Sequence, residues 1–129
     1  MENKRFEVAV QIHVKLTTEN IDDIMVSALE GGICYWASEA EVVEEKRCAD
    51  WGHEQIARGG ALIIHNAESD DKWELTLEKF LNGVKLWIQN GEDQYHALQK
   101  DGTLDTCVID GEMADLIIQY ALFGEVVFG

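Results

Sequence analysis

Between Ala61 and Asn90 the spacing of apolar residues changes once, and that change limits what the chain can become. The stretch reads ALIIHNAESDDKWELTLEKFLNGVKLWIQN. Leu62, Ile63 and Ile64 form a short β-prone run. Glu68, Ser69, Asp70 and Asp71 follow, with side chains that bond back to nearby backbone and favour a turn. Trp73, Leu75 and Leu77 then alternate with Lys72, Glu74 and Thr76, the period of a strand with one buried face. From Leu77 onward the period lengthens. Leu77, Phe80, Leu81, Val84, Trp87 and Ile88 fall on one helical stripe. Thr76 is placed to cap that helix, although Lys79 three residues on denies it a capping box. Asn90-Gly91 is a stop, because both residues tolerate the left-handed conformation. The expectation is strand, turn, strand, helix.

Upstream, Phe6 to Leu16 alternates strictly. Phe6, Val8, Val10, Ile12, Val14 and Leu16 are apolar, with Glu7, Gln11, His13 and Lys15 between them. This predicts a strand with one face on the core, packed against Leu81, Val84 and Ile88, and one face in water. Val10→Asp is then expected to unfold the domain by burying an unpaired charge. Thr17 to Asn20 opens a helix whose stripe is Ile21, Ile24, Met25, Ala28 and Leu29, ended by Gly31-Gly32. Ile33 to Val43 reads as a second strand. Residues 45–60 give no clear pattern beyond a turn at Arg58-Gly59-Gly60.

After the central helix, residues 92–106 are polar, with a weakly helical piece from Asp93 to Gln99. Asp110 is a cap for a last helix with Met113, Ala114, Ile117, Ile118, Ala121 and Leu122 on its stripe and Gly124 as its stop. Glu125 to Phe128 closes the chain as a short strand. The expected order is β-α-β-β-β-α-α-β. That is a single α+β domain over residues 1–129, with a mostly antiparallel sheet covered on one side by two main helices and a third.

The chain has 129 residues, enough to bury a core without covalent staples. It contains no Pro. No apolar run approaches the ~20 residues of a membrane span, and MENKRFEV lacks the apolar centre of a signal peptide. A cytoplasmic location is the expectation. Cys34, Cys48 and Cys107, odd in number and widely spaced, are expected to be free thiols.

Charge is the unusual quantity. The chain carries 25 acids against 10 bases, a net of -15. From Leu16 to Glu45 there are eight acids and no Lys or Arg; from Asp101 to Gly129 there are six, again without Lys or Arg. Elsewhere 11 acids nearly balance the 10 bases. Helix starts explain part of this, since Glu19, Asp22 and Asp23 meet the positive end of a helix dipole. They do not explain the missing bases. A field of this sign repels nucleic acid and anionic membranes and attracts basic partners.

Chemical motifs are sparse. Gly31-Gly32 and Gly59-Gly60 lack the pattern of a phosphate loop, and no dinucleotide fingerprint, HExxH or nucleophile elbow occurs. His13, Cys34, Cys48, His53, His65, His96 and Cys107 are scattered, and the one close pair, Cys48 and His53, does not make a zinc site. His65 to Asp71 has ligands for a hard cation but not the register of a calcium loop. No metal, cofactor or catalytic residue is expected. Trp36, Trp51, Trp73 and Trp87 suggest either core or an aromatic pocket near Trp36, Tyr35 or Trp51.

Three blocks, IDDIMVSALEGGICYWA, GGALIIHNAESDDKWELTLEKFLNGVKLWIQN and ADLIIQYALFGEVVFG, resemble a family of small acidic proteins found in temperate phages and other mobile elements of Gram-positive gut bacteria. The resemblance covers nearly the whole chain. It implies an accessory protein acting on host or rival-element machinery and carries no site residues. Together with the segregated charge it leads to one expectation. The chain is a non-enzymatic inhibitor of a basic, nucleic-acid-binding defence protein, itself binding no nucleic acid or membrane. Its carboxylates stand in for phosphates, and the candidate contact residues are Glu19, Asp22, Asp23, Glu39, Glu41, Glu112 and Asp115. A small-molecule or nucleotide sequestering module is the alternative. An assembly subunit that forms a homodimer through an exposed apolar patch is the third.

Overall fold

The computed structural model describes residues 3–129; Met1 and Glu2 lie outside the described residues. Local signals decide where each helix begins. Thr17 Oγ1 accepts from the Asn20 amide at 3.0 Å, and Asn20 Oδ1 accepts from the Thr17 amide at 3.1 Å, a reciprocal cap on α1 (Thr18–Ser27). Such a cap contributes about 1 kcal/mol. Thr76 accepts from the Lys79 amide at 3.3 Å at the start of α2 (Leu77–Gln89). Asp110 accepts from the Met113 amide at 2.9 Å at the start of α3 (Gly111–Phe123), and Gly124 ends α3 at φ 74.

Helix α1 does not stop at a simple glycine cap. Its last turn, Ala28–Gly32, widens to a π-turn, in which the Ile33 amide donates to Ala28 O at 3.0 Å. A tight turn follows, with Trp36 and Ala37 both donating to Ile33 O. The expected strand at Ile33 is therefore shorter: β1 is Ala37–Val42. It pairs antiparallel with β2 (Leu62–Asn66), which pairs antiparallel with β3 (Lys72–Leu75), in the order β1-β2-β3. The β2–β3 turn closes as its residues suggest, with Asn66 Oδ1 taking the Glu68 amide at 2.8 Å and Ser69 Oγ taking the Asp71 amide at 3.2 Å.

Register places Ala40, Ile64 and Trp73 in one row, and Val42, Leu62 and Leu75 in another, facing the helices. The opposite face carries Glu39, His65 and Lys72, then Glu41, Ile63 and Glu74. On the helical side Ile24, Met25, Phe80, Trp87, Met113, Ile117 and Ile118 are fully buried. Each such side chain contributes about 1.5–3 kcal/mol by leaving water. Helices α2 and α3 meet backbone to backbone at Gly83, where a Cβ would stand 2.6 Å from Ile117 O. The result is a mixed α+β domain with a small antiparallel sheet.

Two expected strands do not form. Residues 125–128 are irregular. Residues 6–14 form no strand, and Phe6, Val8, Val10 and Ile12 are 86%, 83%, 76% and 60% exposed. Only Val14 and Leu16 rest on the core. The arm joins the body at Lys15, whose amide donates to Gly102 O at 2.7 Å. The side chains expected to cover Leu81, Val84 and Ile88 instead share an open groove with them, and Val10→Asp loses its reason to unfold the chain. The weakly helical piece at 93–99 is a set of turns held by Asp93, which accepts from the Ala97 and Leu98 amides. Residues 44–58 form three single 3-10 turns around the buried side chain of Gln55. No helix of the described residues is long and apolar enough to cross a membrane.

Candidate functional site

The π-turn and the turn after it carry Tyr35 and Trp36 across the start of α3. There they meet Asp115, a carboxylate only 5% exposed. Tyr35 donates its hydroxyl to Asp115 Oδ2 at 2.6 Å; Trp36 Nε1 and Gln119 Nε2 donate to Oδ1 at 2.8 and 2.9 Å. Gln119, fully buried one turn later, holds the C-terminal segment: its Oε1 accepts the amides of Val127 and Phe128, each at 2.8 Å. Phe128 then stacks on Trp36 at 4.8 Å between ring centres, within an aromatic group completed by Trp73 and Phe123. A polar residue inside the apolar run IIQYAL of α3 was the sequence signal for this hub, since a buried amide must find partners.

Beside the hub lies a crevice of about 580 Å³. One wall is the π-turn with Ser27, Glu30, Gly31, Gly32 and Tyr35; the other is α3 and the C-terminal segment with Gly111, Glu112, Asp115, Leu116, Val126, Phe128 and Gly129. The walls approach at Gly32, where a Cβ would come 2.4 Å from Gly111 O. Both walls therefore come from the two segments without Lys or Arg, and the crevice holds no basic side chain. Glu112 is a first-turn acid of α3 and suits that helix's dipole. Glu30 sits at the opposite, negative end of α1, where a local helix preference would place a base instead.

Burial, the hydrogen bond to Asp115 and the nearby carboxylate charges push the Tyr35 hydroxyl up to about 12. It stays protonated and acts as a donor. Both Asp115 oxygens are occupied by donors, so this carboxylate positions Tyr35 and Trp36. What the crevice presents outward is two free carboxylates, an aromatic edge and an apolar floor.

The seven candidate acids do not share one surface. Asp115 is corrected outright: three donors bury it, and it exposes no charge. Asp22 is neutralised by a two-pronged pair with Arg58 at 3.0 and 3.1 Å, and its side chain is 20% exposed. Asp23 accepts from Thr106 Oγ1 at 2.9 Å. Glu19 is exposed at the start of α1, the end away from the crevice. Glu39 and Glu41 are exposed on the outer sheet face, with Glu41 3.0 Å from His65 Nε2. Glu112 alone of the seven is an exposed crevice acid. Glu30, its counterpart, was visible as an acid in a base-free segment, but nothing local set it apart. Of the three positions named for an aromatic pocket, Tyr35 lines the crevice, whereas Trp36 is buried and Trp51 is exposed and lines no part of it.

Comparison with protein-family models, curated proteins and solved structures finds no match to the chain.

Proposed function

We propose that the protein is an acidic binding protein that captures a basic, nucleic-acid-handling protein, and that the Glu30–Glu112 crevice is the centre of the contact. The observation that carries this reading is the meeting of the two base-free segments around one concave site. A Lys or Arg side chain entering it finds two carboxylates, the Tyr35 ring edge and an apolar floor for its methylenes. A partner built to hold phosphates would offer such side chains in a row, and carboxylates on a rigid surface would occupy them in place of nucleic acid. A mobile-element inhibitor of a host defence nuclease fits this chemistry. The same charge opposes the nucleotide-sequestering alternative, because a phosphate would face Glu30 and Glu112 without a cation.

The test is capture from host lysate with wild type and Glu30→Lys/Glu112→Lys. Both positions are exposed, so the fold survives the change. The expected result is one stoichiometric nucleic-acid-binding protein retained by wild type and lost by the double variant. Glu68→Lys/Asp70→Lys, in the exposed β2–β3 turn, should retain it. Equal loss from both variants, or no loss from the first, sinks the crevice as the contact.

A further inference from the structure

The arm at residues 3–14 is a strand by pattern that the single chain leaves unpaired. Its backbone amides and carbonyls have no ladder partner, and its apolar side chains at 6, 8, 10 and 12 stand in solvent. Beside it runs an open groove of about 860 Å³, walled by Val10, Ile12, Val14 and Leu16 on the arm and by Leu81, Val84 and Ile88 on α2. An exposed alternating strand of this length invites pairing with another strand.

We propose that the occupant is a second copy of this chain, and that two arms pair antiparallel about Val10 into a ribbon lying over the α2 grooves of both copies. The pattern is self-complementary in this register. Val10 faces Val10 of the second copy, Val8 faces its Ile12, and Phe6 faces its Val14, all on one side of the ribbon. On the other side Glu7 faces His13, while Arg5 faces Lys15, a like-charged pair that works against the contact. Such a two-fold contact closes on itself.

Residues 3–15 carry Lys4, Arg5 and Lys15 against Glu7 alone, whereas residues 16–129 carry 23 acids and seven bases. The groove itself offers the arm no carboxylate, its charged lining residue being Lys85, so the apolar pattern and not charge specifies the second copy. Length suffices as well. The eleven residues from Lys4 to Val14 span roughly 36 Å when extended. A stable dimer buries ~800 Å² per partner, and the exposed apolar side chains of each arm with the groove beside them are the surface available for it. This inference is independent of the crevice, and Glu30→Lys/Glu112→Lys should leave the dimer intact.

Sedimentation of the full chain across a dilution series tests it, beside Val8→Asp/Ile12→Asp. Both substituted side chains are exposed in the single chain, so the variant folds. Wild type should sediment at twice 14.5 kDa and the variant at 14.5 kDa. Amide exchange at residues 6–14 should be slow in wild type and fast in the variant. A wild type that is monomeric at every concentration overturns the proposal, whether its arm is free, held against its own α2 or kept for a different partner. So does a dimer that survives the double substitution.

Discussion

Asp115 shows how much one buried carboxylate can organise. It receives a phenol, an indole and an amide, and through them it sets the turn at Tyr35 and the anchored segment at Phe128. Asp115→Asn keeps the shape but loses the charge and turns one of the two acceptor atoms into a donor, so the Tyr35 hydroxyl must redirect its proton to Phe128 O, 3.3 Å away. Urea unfolding should show a loss of about 1–3 kcal/mol. Tyr35 supplies a second check at the same place. Its hydroxyl ionises near 12 in the folded chain, against about 10 when unfolded. The unfolded state therefore gives up its proton first as pH rises. The stability due to this group is fully present below about pH 10 and is lost between there and about 12. Tyr35→Phe should flatten the alkaline fall measured by unfolding at stepped pH, and in Asp115→Asn the tyrosinate absorbance of Tyr35 should rise at lower pH than in wild type. A Tyr35 transition that does not move in that variant would detach it from Asp115.

Helices α2 and α3 are held at a separation that one missing methyl allows. Replacing an interior helix Gly by Ala ordinarily stabilises by about 1 kcal/mol. At Gly83 the added Cβ would lie 2.6 Å from Ile117 O and 2.7 Å from the Ala121 Cβ, so the helices must part. Gly83→Ala should instead destabilise by roughly 1–3 kcal/mol, read as a lowered Tm by calorimetry. An unchanged or raised Tm would mean that the helices pack further apart than described. The Gly32–Gly111 approach is the equivalent constraint between the π-turn and α3, and it keeps the two walls of the crevice together.

A net charge of -15 acts on the molecule as a whole. Among the described residues the ion pairs are Lys46–Glu74, Arg47–Glu44 and Arg58–Asp22, so most acids repel without local relief. Added salt screens charges beyond ~8–10 Å at 0.10–0.15 M. Tm should therefore rise from low salt to that range, while capture of a basic partner should weaken over the same range. Scanning calorimetry in a salt series checks the first half. A falling Tm would show that attractive pairs outweigh the repulsion. Opposite salt responses of stability and binding are what segregated charge produces, because one field serves both.

Local chemistry was readable in the residues themselves. Thr17, Thr76 and Asp110 cap helices because a side-chain oxygen needs only the amide three residues on. Gly124 stops α3 because it can take a positive φ. The stripe from Leu77 to Ile88 and the alternation from Lys72 to Leu75 needed only their own periods. The arm at Phe6 alternates just as strictly, yet it is not a strand in the single chain. Alternation states which face an extended segment would bury, and pairing requires an edge within reach: β3 finds one in β2 across a short turn, whereas the arm is followed by α1 and has no such hairpin partner. The acids divide in the same way. Glu112 and Asp115 lie three apart on α3, an offset of ~60° around the helix. That offset leaves Glu112 in solvent and turns Asp115 under Tyr35 and Trp36. Net charge and its segregation are properties of the sequence. Which carboxylates are spent on donors, which are paired and which face a crevice was decided by the chain segments that folding brought against them.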